Sequence, residues 1–199
     1  MRRERSHTRI VEQAAKMIRE RGIAGASVDE VMGAAGLTRG GFYAHFEDKT
    51  QLACEALQSA FEGAYENLFG SDMQLGPKAW RERAVKRYIA EAHIDDPGQG
   101  CAVPALGGEI ARAEPAIRET TKREVGRVLE GIEAHIGGDP ETARDRAIAL
   151  FATCVGAITI ARAVGDRAMQ REIIAACRRE LLRGDGDIEP MASLAADAE

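Results

Sequence analysis

Residues 34–52 read AAGLTRGGFYAHFEDKTQL. The flanks have helical composition, yet Gly40 and Gly41 stand side by side in the middle. Each glycine costs a helix interior about 0.8–1 kcal/mol relative to alanine. Directly behind them come Phe42, Tyr43, His45 and Phe46, a dense run of rings in a chain that is only 5% aromatic. A segment that is weak at its start and anchored by rings at its end suits a surface that must bring its backbone close to another molecule.

The residues just upstream say which kind of surface. Ser27-Val28-Asp29-Glu30 fits a capping box, in which the Ser hydroxyl and the Glu carboxylate each satisfy an orphan amide at a helix start. That helix is short and stops at Gly36, a residue that tolerates the left-handed conformation needed there. Two residues later Thr38 is placed to cap a third helix. Two helices joined by a tight turn through Gly36 and Leu37 form a helix-turn-helix, whose second helix lies in the DNA major groove. Gly40 and Gly41 then leave room for the DNA backbone, and Phe42 and Phe46, four residues apart, provide the anchor. Tyr43, His45 and Lys49 carry polar tips that reach phosphate oxygens. Thr38 and Arg39 stand where base edges are read, and an arginine there pairs bidentately with guanine. The plainer alternatives are that Phe42 and Phe46 serve the core, Gly36 serves only the turn and His45 is a packing residue.

Outward from this motif almost every segment reads as helix. Ile10, Val11, Ala14, Ala15 and Ile18 recur at three-to-four spacing before Gly22. Asp48-Lys49-Thr50-Gln51 launches a long helix with Leu52, Leu57, Phe61, Tyr65 and Phe69 on one face, broken by residues 70–76. Pro77 suits a first-turn position, which predicts a helix over 77–93. A loop over 95–100, a short helix over 105–112, a helix from Pro115 to Gly137, an apolar helix after Asp139-Pro140 and a last one over 166–184 follow. No segment alternates like a strand. The expectation is all-α, with about nine helices: a helix-turn-helix head in residues 1–49, a helical ligand-binding and dimerisation domain in 50–184, and an acidic, poorly ordered tail in 185–199.

Composition narrows the partners. The 199 residues are 45% hydrophobic and 30% charged, typical of a soluble globular chain. The net charge of −5 hides an asymmetry: residues 1–49 carry nine Lys/Arg against seven Asp/Glu, and the remainder 18 against 25. Arg2, Arg3, Arg5 and Arg9 open the chain against a single Glu4. A basic start on an acidic protein points to a local polyanion contact, with Arg3 and Arg5 as candidates; a solvated, frayed terminus is the alternative. Residues 147–164 approach the length of a membrane span but are rich in Ala, Gly and Thr and contain Arg162, so a buried helix is expected. Arg2-Arg3 leads into no apolar stretch, which argues against a secretory leader and for the cytoplasm. Cys54, Cys101, Cys154 and Cys177 make no CxxC pair and no zinc spacing with the histidines, so reduced thiols, no metal and no cofactor are expected. There is no phosphate-binding glycine loop, HExxH or GxSxG, which argues against an enzyme. The negative total argues against a non-specific DNA binder.

Residues 27–49, SVDEVMGAAGLTRGGFYAHFEDK, resemble the DNA-binding region of the TetR family of bacterial repressors. That pattern is a hydroxyl-capped helix, an Ala-Gly turn, a Gly-small-aromatic-Tyr run, a His-Phe pair and a following Lys. The resemblance implies a homodimer on a palindromic double-stranded operator and a small-molecule cavity in the C-terminal domain. It implies that Thr38, Arg39 and Gly40 approach bases and phosphates, that Tyr43 and Lys49 clamp the backbone, and that Ser27, with Val28 beside it, sets a helix N-terminus at a phosphate. Gly41 and Ala44 are smaller here than the family often shows, which shifts base reading toward Arg39 and the basic start.

A regulator needs an input, and the C-terminal helices are the place for it. Tyr65, Trp80, Tyr88, Phe151 and Met169 are candidate walls, with His93, Glu109 and Arg162 as polar groups. Cys101 follows Gly98-Gln99-Gly100 at a loop–helix junction, where a helix N-terminus can lower a thiol's pKa, so a redox- or electrophile-sensing repressor is the alternative function. In the resembling family the last two helices form a four-helix dimer interface, which selects Ile148, Val155, Ile158, Thr159, Ile173, Ile174, Cys177 and Leu181; their alternative is internal core.

Overall fold

The structure, a computed structural model, describes residues 2–72 and 74–183, with the side chain of Arg2 excepted. The tail assigned to 185–199 lies outside the described residues. Among those described, the fold is all-α with no strand. The helices are α1 (Arg2–Gly25), α2 (Val28–Ala34), α3 (Lys49–Tyr65), α4 (Pro77–Tyr88), α5 (Glu91–Asp95), α6 (Ala102–Ile110), α7 (Pro115–Ile136), α8 (Pro140–Val164) and α9 (Arg167–Leu182). A 3₁₀ segment, Arg39–Ala44, follows α2, and a π-type turn, Glu66–Gly70, ends α3.

The apolar periodicity settles the packing. Ile10, Val11, Ala14, Ala15 and Ile18 form the buried stripe of α1, which lies along α3. The opposing stripe of α3 buries Leu52, Ala53, Ala56, Leu57, Ala60, Phe61 and Ala64. From there α3 packs on α7, α7 on α8 and α8 on α9, so one continuous core runs from the N-terminal helices to the last. The α8 helix is long and apolar enough to cross a membrane by length and composition. Its inner face, including Leu150, Phe151, Cys154, Ala157, Ile158 and Ala161, is buried in the protein core.

Three expectations need correction. The helix predicted over 77–93 stops at Tyr88, and Ile89 and Ala90 take non-helical conformations before the short α5. His93 causes the break to be tolerated: its Nδ1–H donates to the terminal carbonyl of Tyr88 at 2.8 Å while its Nε2 accepts the Cys101 N–H at 3.0 Å. The segment after Thr38 is not an α-helix but six residues of 3₁₀ geometry, because two glycines and a short span cannot sustain i to i−4 bonding. Thr38 occupies the cap position with no side-chain capping bond, so its hydroxyl is left exposed.

At Gly22 the expected helix end is present as a break: φ is 83° and ψ 164°, and the chain turns helical again to Gly25. The break strips the Ile23 and Ala24 amides of helical partners. The Glu109 carboxylate, from α6, accepts both, at 2.9 and 2.8 Å. A Cβ on Gly22 would sit 2.7 Å from that carboxylate and would occupy a left-handed φ. Gly22→Ala is therefore expected to lower unfolding free energy by about 1–3 kcal/mol, read as a shift of the urea midpoint at unchanged slope.

Candidate nucleic-acid interface

The capping box that the sequence predicts is complete. Ser27 Oγ accepts the Glu30 N–H at 3.2 Å, Glu30 Oε2 accepts the Ser27 N–H at 3.4 Å, and the Ser27 hydroxyl donates to the same carboxylate oxygen at 2.7 Å. The Ser27 hydroxyl is the first cause, ahead of its backbone amide and Arg21, holding the Glu30 carboxyl below its usual range. The hydroxyl is thus spent inside the protein, and what Ser27 leaves outward is the start of α2 itself. Val31 and Met32 bury the other face of α2, and Val28 is half-buried against the core, which limits what it can reach.

The turn closes with Leu37 N–H on the Met32 carbonyl at 2.8 Å and Gly36 at φ 68°. Beyond it the 3₁₀ segment sorts its side chains. Phe42 and Phe46 are each only 2% exposed and stack with centroids 5.5 Å apart. Tyr43, between them, is 78% exposed, set edge-on to Phe42. Thr38, Arg39, Gly40, Ala44 and Lys49 are also exposed. Gly40 has nothing within 4 Å of where a Cβ would stand, and at Gly41 a Cβ would make only ordinary contact with Met32 Cε at 3.6 Å. Neither takes a positive φ. The fold itself has room for a side chain at both, so packing inside the protein does not explain them.

The basic start is not a loose arm. Arg3 and Arg5 project from the first turns of α1, and the Arg3 guanidinium donates to the Ala44 carbonyl at the end of the 3₁₀ segment. His45 is half-buried with its Nδ1 enclosed and unpartnered, against the expectation of an outward polar tip. Desolvation, then the neighbouring His7 and Arg3, depress its pKa. Lys49 Nζ lies 3.4 Å from the Ala24 carbonyl, at the foot of the head. Two participants escape a reading of the motif alone. His7 stacks on Phe46 at 4.7 Å and bonds Glu55 at 2.6 Å, tying α1 to α3. Asp29 pairs with Arg39 at 2.9 Å. Their ten-residue separation across the turn was the only signal available for the second.

The candidate effector residues divide. Trp80, Tyr88 and Phe151 are buried together around Phe69, with Tyr88 5.5 Å and Phe151 6.3 Å from that ring. The Trp80 indole N–H is satisfied by the Phe69 carbonyl at 3.1 Å. They form core rather than cavity wall. Beside Tyr88 lie His93, Cys101 and Arg162, whose guanidinium donates to the His93 carbonyl. Tyr65, its ring 6.2 Å from that of Phe69, also lines a cleft of about 230 Å³ with Phe61, Glu62, Glu66, Glu124, Arg127 and Val128. Glu109 lines another, of about 420 Å³, with Lys49, Thr50, Arg112 and Ile117 at the junction of α1, α3, α6 and α7. Met169 is 49% exposed near the start of α9. Among the described residues no group of three His, Cys, Asp or Glu is disposed to hold a metal.

The lowered thiol pKa expected at Cys101 is corrected. Cys101 is 3% exposed, and burial pushes its thiol up, outweighing the opposing effects of Tyr88, Val103, Arg162 and Arg19. Position at a helix start does not make a reactive thiolate where solvent is excluded. The interface candidates also divide. Ile158 is fully buried and Ile174 7% exposed, both in the core of this chain. Val155, Ile173, Cys177 and Leu181 are half-buried against that core. Outward on α8 and α9 stand Ile148 at 44%, Ile160 at 54% and Met169 at 49%, with Thr159 also exposed. Ile160, one residue past the expected pair, is the side chain that the sequence reading missed.

His93 makes the buried network pH-sensitive. Burial first, with Arg162 adding to it, depresses its pKa from 6.5 to about 4 despite the Tyr88 carbonyl. Protonation would also force a hydrogen onto Nε2, which accepts from Cys101 N–H. The unfolded chain binds this proton first, so stability falls as pH drops from 6.5 toward 4. The loss from this group is expected to reach about 3 kcal/mol. Urea midpoints measured across that window should fall for the wild type and less steeply for His93→Gln.

Residues 10–56 match the family described as bacterial regulatory proteins, tetR family. A curated relative, the HTH-type transcriptional repressor DhaR of Mycobacterium sp. (strain GP1), is 27% identical over 111 residues, 55% of this chain and 54% of the relative. The alignment thus spans about half the length of that protein. A TetR transcriptional regulator from Chloroflexus aurantiacus J-10-FL superposes with a TM-score of 0.74 over 92% of this chain and 98% of its own, at 24% identity. A transcriptional regulator FadR from Bacillus subtilis, solved in complex with stearoyl-CoA, superposes with a TM-score of 0.69 over 89% and 98%, at 13% identity.

Proposed function

We propose that the chain, whose residues 10–56 match the family described as bacterial regulatory proteins, tetR family, is a cytoplasmic, non-enzymatic transcriptional repressor of that family. It binds a palindromic operator as a homodimer and is released by a small molecule held among its C-terminal helices. The carrying observation is the alternation across the 3₁₀ segment: Phe42 and Phe46 inward at 2%, Tyr43 outward at 78%. A segment so anchored presents Thr38, Arg39, Gly40 and Tyr43 on one outer face, and DNA contact accounts for glycines that the fold itself does not require. Tyr43 and Lys49 clamp phosphates, Arg39 reads a base edge, and Arg3 and Arg5 add basic charge beside them.

Three of the four large apolar side chains exposed among the described residues, Ile148, Ile160 and Met169, lie on α8 and α9. Ala149, Ala152 and Ala163 lie on the exposed side of α8 too, and small side chains let a partner helix approach closely. A second copy across this face would supply a second head for the other half-site, about 34–36 Å away along the DNA. The stearoyl-CoA complex of a neighbour with this fold supports a small-molecule input. Ligand control then means that the occupied dimer holds its heads at a spacing that fits the operator less well.

Gel shifts on DNA flanking the protein's own gene test the proposal. Tyr43→Phe should weaken binding by about 1.5–3 kcal/mol across sequences without changing the salt slope, since no counterion is released by a hydroxyl. Lys49→Ala should weaken it and reduce the slope of log K against log salt by about 1. Unchanged affinity in both would rule out the clamp. In sedimentation, Ile160→Arg should shift the wild-type dimer toward monomer; a dimer untouched by that change would place the interface elsewhere.

A further inference from the structure

We propose that Asp29 determines base specificity by positioning Arg39, an inference that rests on the reading of Arg39 as the base-contacting side chain. Arg39 Nη1 donates to Asp29 Oδ2 at 2.9 Å. The pair bridges the helix-turn-helix, from the first turn of α2 to the first residue of the 3₁₀ segment.

The two ends of this bridge differ in rigidity. Asp29 stands on a short helix that is locked from both sides, by the Ser27–Glu30 capping box and by buried Val31 and Met32. Arg39 opens a glycine-rich segment and has a side chain that is 75% exposed, so it has little else to fix it. An exposed ion pair contributes little to stability. A carboxylate on the face that meets phosphates also repels them. Two neighbouring acidic groups have internal tasks: Glu30 caps α2 and pairs with Arg21 at 3.1 Å, and Asp48 accepts the Gln51 N–H at 2.7 Å. The bond that Asp29 makes is to Arg39. A guanidinium has five donors, and spending one on Asp29 leaves a fork for the N7 and O6 of guanine. Holding that fork before DNA arrives removes part of the ordering cost of a long side chain. The repulsive charge thereby becomes a device for discrimination, lowering affinity for every sequence while aiming the one side chain that tells them apart.

The probe is a duplex selected from a random library by the wild-type protein, together with singly substituted versions of it. Binding is measured for wild type, Asp29→Ala, Asp29→Asn, Arg39→Ala and the Asp29→Ala/Arg39→Ala pair, each checked for unchanged thermal unfolding. Asp29→Ala is expected to bind substituted duplexes more tightly than wild type does. It should lose about fivefold or more of the discrimination at one G·C pair, the same pair that Arg39→Ala affects, with no further loss in the double variant. Asp29→Asn should fall between. If Asp29→Ala raises affinity equally for all duplexes while Arg39→Ala loses discrimination, Asp29 is only a repulsive charge and the inference fails alone. If Arg39→Ala discriminates like wild type, the reading of Arg39 as a base contact fails and takes the inference with it.

Discussion

Two phenyl rings hold the 3₁₀ segment Arg39–Ala44 against the rest of the molecule. Gly40 and Gly41 deprive the segment of intrinsic helicity, and its 3₁₀ bonds are too few to hold it alone. What fixes it is burial of Phe42 and Phe46 in the core beside α2, with His7 of α1 stacked on Phe46. Burying a phenyl ring stabilises by roughly 1.5–3 kcal/mol, so the two rings together outweigh the two glycines. The outer face can therefore be chosen for contact alone, because the inner face already secures the backbone.

The same head is tied to the body by polar bonds as well as by the shared core. Glu109 caps the broken end of α1, Thr50 Oγ1 donates to Glu114 at 3.0 Å, and Lys49 reaches the Ala24 carbonyl. These surround the cleft of about 420 Å³ at the junction. Directional bonds to a strained turn break over small displacements, whereas an apolar interface slides. At Gly22 the Glu109 carboxylate of α6 thus fixes the end of α1 through two amides.

Deeper in the body the aromatic cluster and the His93 network leave little room around Tyr88, Trp80 and Phe151. Cys101 belongs to this interior: its backbone amide holds His93 in a single tautomer, and its thiol is kept protonated by exclusion of water. The polar groups there serve to end α4, seat α5 and lock α8 through Arg162.

Local chemistry was enough to read the capping box at Ser27, the turn at Gly36, the break at Gly22 and the helix starts at Pro77, Pro115 and Pro140, because each is decided by residues within a few positions of one another. The inward set of Phe42 and Phe46 followed from their spacing. Nothing local could show that His45 turns inward or that Glu109 caps α1 from 85 residues away. Nor could it show that Ile158 is core while Ile160 faces out, since neighbouring turns of an apolar helix differ only in what packs on them. The sequence by itself determined the all-α class, most of the helix starts, and the capping and turn chemistry of the short motif proposed to meet DNA. Only the tertiary structure decided which polar groups are spent internally and which apolar side chains stay exposed on α8 and α9, because those depend on contacts between segments far apart in the chain.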